Sequence, residues 1–128
     1  MKTLLLAAAL ISLAGTGSGH AAIATPVMAR DLAGITGKEG VLVTVELAPG
    51  EASPVHRHNA NVFVYVLEGS VVMQVQGAPP MTLATGQTFY EGPDDIHVVG
   101  RNASTLKPAR FIAFLVKDKG APAVVPVP

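Results

Sequence analysis

The sequence predicts an all-β domain of the sandwich or barrel type. Its apolar segments are short, rich in Val, Phe, Tyr and Thr, and separated by turns that contain glycine or proline. Beyond residue 24, no stretch shows the apolar period of an amphipathic helix. A length of 128 residues is enough for one such domain and no more.

The turns divide the chain into a series of predicted strands. In chain order, these strands lie at residues 41–48, 62–68, 71–76, 81–85, 87–91, 96–101 and 110–116. The first ends at Pro49-Gly50, a pair typical of a type II turn. Gly69 joins the second strand to the third as a hairpin, and the Gly-Ala-Pro-Pro segment at 77–80 forms the next turn.

Alternation along the strands predicts which face of each is buried. Val71, Met73 and Val75 share one face of their strand, and glutamines take the other, so the apolar face is expected in the core. The strand at 62–68 is apolar on both faces. A domain this small can hardly cover both faces alone, so a second layer is needed, most simply another subunit. We therefore expect a homodimer.

The first 24 residues read as a secretory signal peptide rather than as part of the domain. Lys2 precedes an apolar run from Leu4 to Ala14, which is too short to span a bilayer. Small residues follow, and cleavage is expected after Ala21 or Ala24. The mature protein should then be periplasmic or secreted, with no membrane association after cleavage.

The rest of the chain divides into three parts. Residues 25–39 form an N-terminal arm, residues 40–116 form the barrel, and residues 117–128 form a proline-rich tail. The prolines prevent the tail from forming a full strand ladder. It is either a loose end or an arm that lies over a partner.

Composition excludes several classes of function. The nine Lys and Arg residues balance the nine Asp and Glu residues, so the chain lacks the basic excess that nucleic-acid binding requires. It contains no cysteine, which excludes disulfides, thiol nucleophiles and thiolate metal sites.

The histidines of the mature chain are candidate metal ligands. His56 and His58 are two residues apart, so in an extended strand their side chains point the same way. His97 comes from another strand, and a closed sheet can bring it opposite the first pair. Signal cleavage removes His20 and leaves only these three. The alternative is a set of surface histidines, or histidines satisfied within the core.

At these residues the sequence resembles the cupin family. The family's first motif has a glycine, a His-x-His pair, a glutamate and a second glycine at fixed spacings. Gly50, His56, His58 and Gly69 match it, while Val62 occupies the position of the glutamate.

The second cupin motif is matched in part. Gly86 and His97 agree with it, whereas Gly92 and Asp94 stand in place of its proline and second glycine. Arg101 replaces its asparagine. The resemblance covers most of the mature chain, from about residue 40 to residue 116.

The resemblance implies the cupin double-stranded β-helix, a jelly-roll barrel, and one metal site formed by His56, His58 and His97. Val62 cannot bind a metal, so we expect solvent or substrate to complete the site, with no fourth protein ligand. Imidazole ligands suit a divalent transition metal. Fe²⁺ is favoured, and Zn²⁺, Ni²⁺, Cu²⁺ and Mn²⁺ are alternatives.

The expected function is that of an exported metal enzyme that acts on a small organic molecule. Chemistry like that of a non-haem iron dioxygenase is favoured. Isomerase or lyase activity is the next alternative. The alternative is a cupin module that binds a small molecule or metal without turnover. The substrate is not indicated by any residue pattern.

Further candidate residues accompany the histidines. Glu91, Asp94 and Asp95 precede His97 and can reach the mouth of the barrel, as a general base or as a hydrogen-bond acceptor for a metal-bound histidine; the alternative is a solvated acidic turn. Tyr90 can present its hydroxyl to a substrate or be an ordinary sheet residue. Glu91, Tyr90 and Asp94 are therefore the candidate catalytic residues. The side chains expected to line the pocket, or to fill the core, are Val62, Val64, Met73 and Phe89.

Overall fold

The computed structural model describes residues 22–128, which form ten strands and no helix. The strands are β1 (Ile23–Asp31), β2 (Lys38–Leu47), β3 (His56–Arg57), β4 (Asn61–Glu68), β5 (Ser70–Val75), β6 (Met81–Ala84), β7 (Thr88–Glu91), β8 (His97–Asn102), β9 (Ala109–Asp118) and β10 (Val125–Pro126). Within the described range, no helix could cross a membrane. The predicted signal segment lies outside this range, except for residues 22–24.

The strands form two antiparallel sheets of five strands each. One sheet has the order β1-β2-β9-β4-β7, and the other has the order β10-β3-β8-β5-β6. Consecutive strands often lie in different sheets, as in a jelly roll. The all-β prediction and the jelly-roll architecture are confirmed.

Each of the seven predicted strands corresponds to a strand of the structure, with ends shifted by three residues at most. The turns between them also follow the sequence. Gly50 has a φ of 72°, and the Glu51 amide donates to the Ala48 carbonyl at 3.0 Å, which closes the turn at Pro49-Gly50. Gly69, with a φ of 70°, joins β4 to β5.

The core lies between the two sheets and follows strict alternation along β4. Val62, Val64 and Val66 are buried, whereas Phe63 and Tyr65 are about half exposed. The core as a whole is built from aliphatic side chains, among them Leu47, Val71, Met73, Leu83 and Leu115. One face of β4 therefore packs in the core of the chain, and the other presents aromatic rings outward.

The segment predicted as an N-terminal arm contains most of β1 and the start of β2. β1 pairs with β2 from Ile23 to Asp31 and is exposed along its whole length. A register shift between Pro26 and Met28 interrupts the pairing. As an edge strand with a proline and no buried face, β1 has none of the alternation that identifies a half-buried strand.

The C-terminal tail returns to its own barrel. Val125 and Pro126 form β10, which pairs with Arg57 and His56 of β3. The tail begins beside a partly buried ion pair, in which Lys117 Nζ donates to Glu39 Oε1 at 2.5 Å. Lys117 Nζ also donates to the Ala121 carbonyl at 2.6 Å. In the structure the tail therefore ends in a short strand next to the histidines.

Candidate metal centre

Three histidines meet where β3 pairs with β8. His56 lies directly opposite His97 in the antiparallel register. The ring centroid of His56 lies 4.7 Å from that of His58 and 4.8 Å from that of His97. Ligand nitrogens of the three side chains all lie within 4.8 Å of one another. The structure thus brings together the three residues that the sequence predicts as metal ligands.

The imidazoles of His56 and His58 are both held through Nδ1. His56 Nδ1 lies 2.7 Å from the Pro54 carbonyl oxygen, and His58 Nδ1 lies 2.6 Å from the Ala123 carbonyl oxygen. A carbonyl oxygen only accepts, so each Nδ1 carries a proton, and in a neutral imidazole Nε2 then presents a lone pair.

The two Nε2 atoms face each other. They lie 3.1 Å apart, a distance at which two lone pairs repel unless a cation stands between them. Nitrogen ligands that lie 2.0–2.1 Å from one metal ion are roughly 3 Å apart. The hydrogen bonds that fix the rings thus aim both lone pairs at one position.

His97 is buried and packs closely on the backbone of β8. Neither of its ring nitrogens has a hydrogen-bond partner within residues 22–128. A Cβ at Gly100 would lie 2.9 Å from His97 Cε1 and 3.0 Å from its Nε2, so only glycine leaves room for the ring. A glycine inside a strand often marks a close approach. A glycine within the strand at 96–101 is therefore a signal of this packing that the sequence contains. Gly100 lies outside the cupin motif positions and was not predicted as part of the site.

A buried carboxylate completes the cluster. The Glu91 side chain is 3% exposed, with Oε1 at 3.3 Å from His97 Nδ1 and Oε2 at 3.7 Å from His58 Nε2. Of the three candidate catalytic residues, Glu91 is the one that the structure places beside the histidines. The sequence predicted Glu91 as a candidate catalytic residue near the histidines, and this is where its carboxylate lies.

Burial shifts the pKa values of His58, His97 and Glu91 toward their uncharged forms. Burial is the main cause that lowers the pKa of His97 to about 4, with the charges of His56 and His58 adding to it. Burial also lowers the pKa of His58, against the Ala123 carbonyl, which raises it. The pKa of Glu91 rises to about 7, first because it is buried and second because Asp95 is near. At neutral pH, His58 and His97 are therefore already in the unprotonated form that binds metals.

The other two catalytic candidates lie away from the cluster. Tyr90 alternates with Glu91 along β7, so its side chain points outward, where its hydroxyl donates to Asn61 Oδ1 at 2.5 Å and its ring contacts Phe63. Asp94 is exposed in the turn before β8. The strand parity and the exposure of the turn thus place Tyr90 and Asp94 away from the histidines.

The predicted pocket-lining residues lie in the interior. Val62, Val64 and Met73 are fully buried in the core, and Phe89 is half-buried, with its ring centroid 6.5 Å from that of His97. Of these four side chains, Phe89 presents its apolar ring to His97. Ala123 was not predicted, because a contact through a backbone carbonyl leaves no trace in residue types.

The residues present fit a divalent transition metal. Such ions prefer imidazole nitrogen, often with a carboxylate. Both nitrogens of His97 and Oε1 of Glu91 are unpartnered within the described residues. A bound ion would satisfy one of the two His97 nitrogens. The three histidines can therefore hold a metal ion.

Solved structures of other proteins share this fold. The DMSP lyase DddQ from Ruegeria pomeroyi DSS-3 is 20% identical, with a TM-score of 0.60 over 69% of this chain and 43% of the lyase. This chain thus spans less than half of the length of that lyase. An uncharacterized conserved protein with a double-stranded β-helix domain from Klebsiella pneumoniae subsp. pneumoniae MGH 78578 is 16% identical, with a TM-score of 0.65 over 98% of this chain and 100% of that chain.

A third solved structure, TT1209 from Thermus thermophilus, is 26% identical, with a TM-score of 0.61 over 76% of this chain and 84% of that chain. No curated protein matches the chain. The family model described as the cupin domain matches residues 43–115, which is more than half of the sequence. The match spans β3, β8 and the three histidines, and it agrees with the two-sheet jelly roll: the chain belongs to the cupin domain family.

Proposed function

We propose that the protein is an exported metalloenzyme that acts on a small organic molecule, with one divalent transition metal bound by His56, His58 and His97. The observation that carries this proposal is the 3.1 Å separation of two Nε2 atoms whose rings are both fixed by carbonyls. Fe²⁺ is the favoured ion. Export rests on the apolar N-terminal segment of the sequence.

The residues around the cluster divide it into a dry side and an accessible side. Val62 and Phe89 keep water from the inner side, because both are apolar and lie in or against the core. His56 is only half-buried. A small molecule is therefore expected to approach from the His56 side, where it can meet the bound ion.

The reaction class follows from the ion and the donors. A bound divalent metal supplies Lewis-acid activation of a substrate oxygen and, as Fe²⁺, reactivity toward dioxygen. The chain itself supplies neutral imidazoles in a fixed orientation and a buried carboxylate, Glu91, that can hold a proton. We favour oxygenation of the substrate, in the manner of a non-haem iron dioxygenase.

Elimination is the second reaction class. Two solved structures that share the fold carry the name of DMSP lyases, at 20% and 18% identity. Both chemistries would use the same histidine cluster. A cupin that binds a small molecule or metal without turnover is the non-enzymatic alternative, since one fold hosts many functions.

Metal analysis of protein purified from the periplasm tests the proposal before any substrate is known. We expect about one divalent transition metal ion per chain, and its loss in His97→Ala. Protein that is folded, yet contains no such ion after purification and takes up none on reconstitution, would contradict the proposal.

Turnover assays separate the enzyme from the binding module. Oxygen uptake by the iron-loaded protein is measured against a panel of small phenols and diketones, and product release is measured in parallel without oxygen. Oxygen consumption that disappears in His97→Ala supports oxygenation, and product formation without oxygen supports elimination. Stoichiometric ligand binding without either signal identifies a binding module.

A further inference from the structure

The position of Glu91 in the sheet brings its side chain to the same part of the interior as Val62. Glu91 is the last residue of β7 and lies directly opposite Val62 of β4 in the antiparallel register. Residues that face each other in this way have Cβ atoms roughly 4.5–5.5 Å apart. Along β7 the exposed Tyr90 points outward, so Glu91 points inward. The side chains at positions 91 and 62 therefore point into the same region of the barrel.

Glu91 is buried without the partners that a carboxylate needs. Its Oε1 has no hydrogen-bond partner within the described part of the chain. The basic side chains that its carboxylate contacts there are His58 and His97, and neither a lysine nor an arginine is among them. A buried carboxylate is unfavourable unless it is paired or coordinates a metal.

The contact between Glu91 Oε2 and His58 Nε2 lacks a proton donor on the histidine. The Nδ1–H of His58 is already directed at the Ala123 carbonyl, so a neutral His58 has no proton on Nε2 to share with Glu91 Oε2 at 3.7 Å. The same Nε2 faces His56 Nε2 at 3.1 Å. When Glu91 is ionised, His56 Nε2 and Glu91 Oε2 both lie close to His58 Nε2 with no hydrogen between them. Such an arrangement is stable around a cation.

We propose that Glu91 is a fourth, carboxylate ligand of the bound ion, supplied by β7 from the position opposite Val62. This inference rests on the proposed three-histidine site and adds one ligand to it. A hard oxygen donor is expected to favour Mn²⁺ and Fe²⁺ relative to a site with imidazole alone. Glu91 would then set which metal the site prefers as well as how tightly it binds.

Another role for Glu91 is to orient His97 by accepting a hydrogen bond from Nδ1, 3.3 Å away. Glutamine distinguishes the two roles, because its amide oxygen can still accept that hydrogen bond but is a poor metal ligand. As an orienting residue, Glu91 would be replaceable by glutamine with little loss. As a ligand, it would not be.

The experiment is a calorimetric titration of Zn²⁺ and of Mn²⁺ into metal-free wild type, Glu91→Gln and Glu91→Ala. We expect both variants to lose more affinity than the roughly 10–100-fold that follows loss of an outer-sphere partner, with Mn²⁺ losing more than Zn²⁺. Glu91→Gln that binds both metals within about threefold of wild type would overturn the proposal.

A relocated carboxylate tests the geometry independently. In the double variant Val62→Glu/Glu91→Val, the carboxylate moves to the opposite strand of the same pair. We expect this variant to recover most of the Mn²⁺ affinity that Glu91→Val loses. A folded double variant that binds as weakly as Glu91→Val would contradict the claim that both positions face the ion.

Glu51→Gln is the matched control. Glu51 is also a buried glutamate with an unpartnered Oε1, but its Oε2 accepts from the Ala48 amide in a turn. Its titration curves should match those of wild type, and thermal unfolding of each metal-free variant checks that it is folded. Wild type that binds neither metal would overturn the three-histidine site and the Glu91 proposal together. Wild type that binds tightly, with no loss in Glu91→Gln, would overturn only the latter.

Discussion

Gly100 shows how closely the backbone constrains the histidine cluster. The ring of His97 rests on Gly100, where an added Cβ would lie 2.9 Å from Cε1. Real Cβ atoms do not approach other atoms so closely, so a side chain at position 100 must displace the imidazole. His97 is therefore placed by a residue that makes no polar contact with it.

Gly100→Ala should weaken metal binding, because the ring of His97 has to move away from the shared position. We also expect the free energy of unfolding to fall by about 1–3 kcal/mol, as for other overpacked sites. Titration of Zn²⁺ into the metal-free variant measures the first effect, and denaturant unfolding measures the second.

Gly40→Ala provides the comparison for Gly100→Ala. A Cβ at Gly40 would lie 3.0 Å from the ring of Phe114, so this site is also crowded, but it is not in the histidine cluster. It should lose stability and keep its metal affinity. Equal loss of metal affinity in the two variants would mean that general destabilisation explains the effect.

At the scale of single residues, the resemblance of the histidine positions to the cupin motifs predicted that His56, His58 and His97 meet. Glu91 appeared in the sequence only as one of several acidic residues before His97. Its place in the cluster depends on the register between β4 and β7, which sets it opposite Val62. Residue types in sequence order do not reveal that register.

The C-terminal tail is part of the structure around the histidines. The Ala123 carbonyl accepts from His58 Nδ1 at 2.6 Å, and β10 pairs with β3 directly beside His56. The tail thereby fixes which nitrogen of His58 carries the proton. Second-sphere partners of this kind raise metal affinity because they orient the ligand.

A chain that ends at Ala121 should bind metal about 10–100-fold more weakly than the full chain, because His58 loses its carbonyl partner. Ala121 then ends in a carboxylate, which can still accept from Lys117, so the start of the tail stays anchored. Titration with Zn²⁺ measures the effect, and a chain that lacks only Pro128 is the control. Unchanged affinity in the shorter chain would show that the tail does not position His58.

The ion pair of buried Lys117 with half-buried Glu39 predicts a specific dependence of stability on pH. The hydrogen bond from Lys117 is the main cause that lowers the pKa of Glu39 below its ordinary value of 4.5. A lowered pKa in the folded state stabilises the fold above the ordinary pKa, and this contribution is lost as the pH falls through the folded pKa.

Glu39→Gln should therefore be less stable than wild type at neutral pH, and the difference should shrink below about pH 4.5. Denaturant unfolding at a series of pH values from 7 to 3 measures the difference. The protonation of other groups affects both proteins alike, so only the difference is interpreted. A difference that stays constant across this range would contradict the assigned pKa direction.

At the scale of elements, the seven half-buried or buried strands were predictable, because each carries an apolar pattern bounded by Gly or Pro. β1, β3 and β10 were not. β1 has no buried face, β3 has two residues, and β10 contains Pro126. These three strands form only because they hydrogen-bond to neighbouring strands, and the local sequence does not reveal which strands those are.

The whole molecule leaves an aromatic surface on one sheet. Phe63, Tyr65 and Tyr90 are 50%, 47% and 51% exposed on the outer face of β4 and β7, and Phe114 of β9 adjoins them. The sequence showed that both faces of β4 are apolar, and the structure shows that one of them is uncovered within a single chain. Large exposed apolar patches mark interaction sites.

We propose that this aromatic surface is the interface of a homodimer, so a single substitution there should produce monomers. Phe63→Glu places a charge at the centre of the surface, where it would be desolvated without a partner. Light scattering at micromolar concentration should give a dimer mass for wild type and a monomer mass for the variant. A monomer mass for wild type with its tail intact would contradict the proposal.

The central claim is that three histidines hold one metal ion, and titration of wild type beside His97→Ala and Val62→Ala tests it most directly. His97→Ala removes a ligand and should abolish tight binding, whereas Val62→Ala removes only buried apolar contacts and should lower stability while keeping metal affinity within about tenfold. Zn²⁺ or Fe²⁺ under anaerobic conditions is titrated into each metal-free protein. Binding by His97→Ala that is as tight as that of wild type would contradict the account.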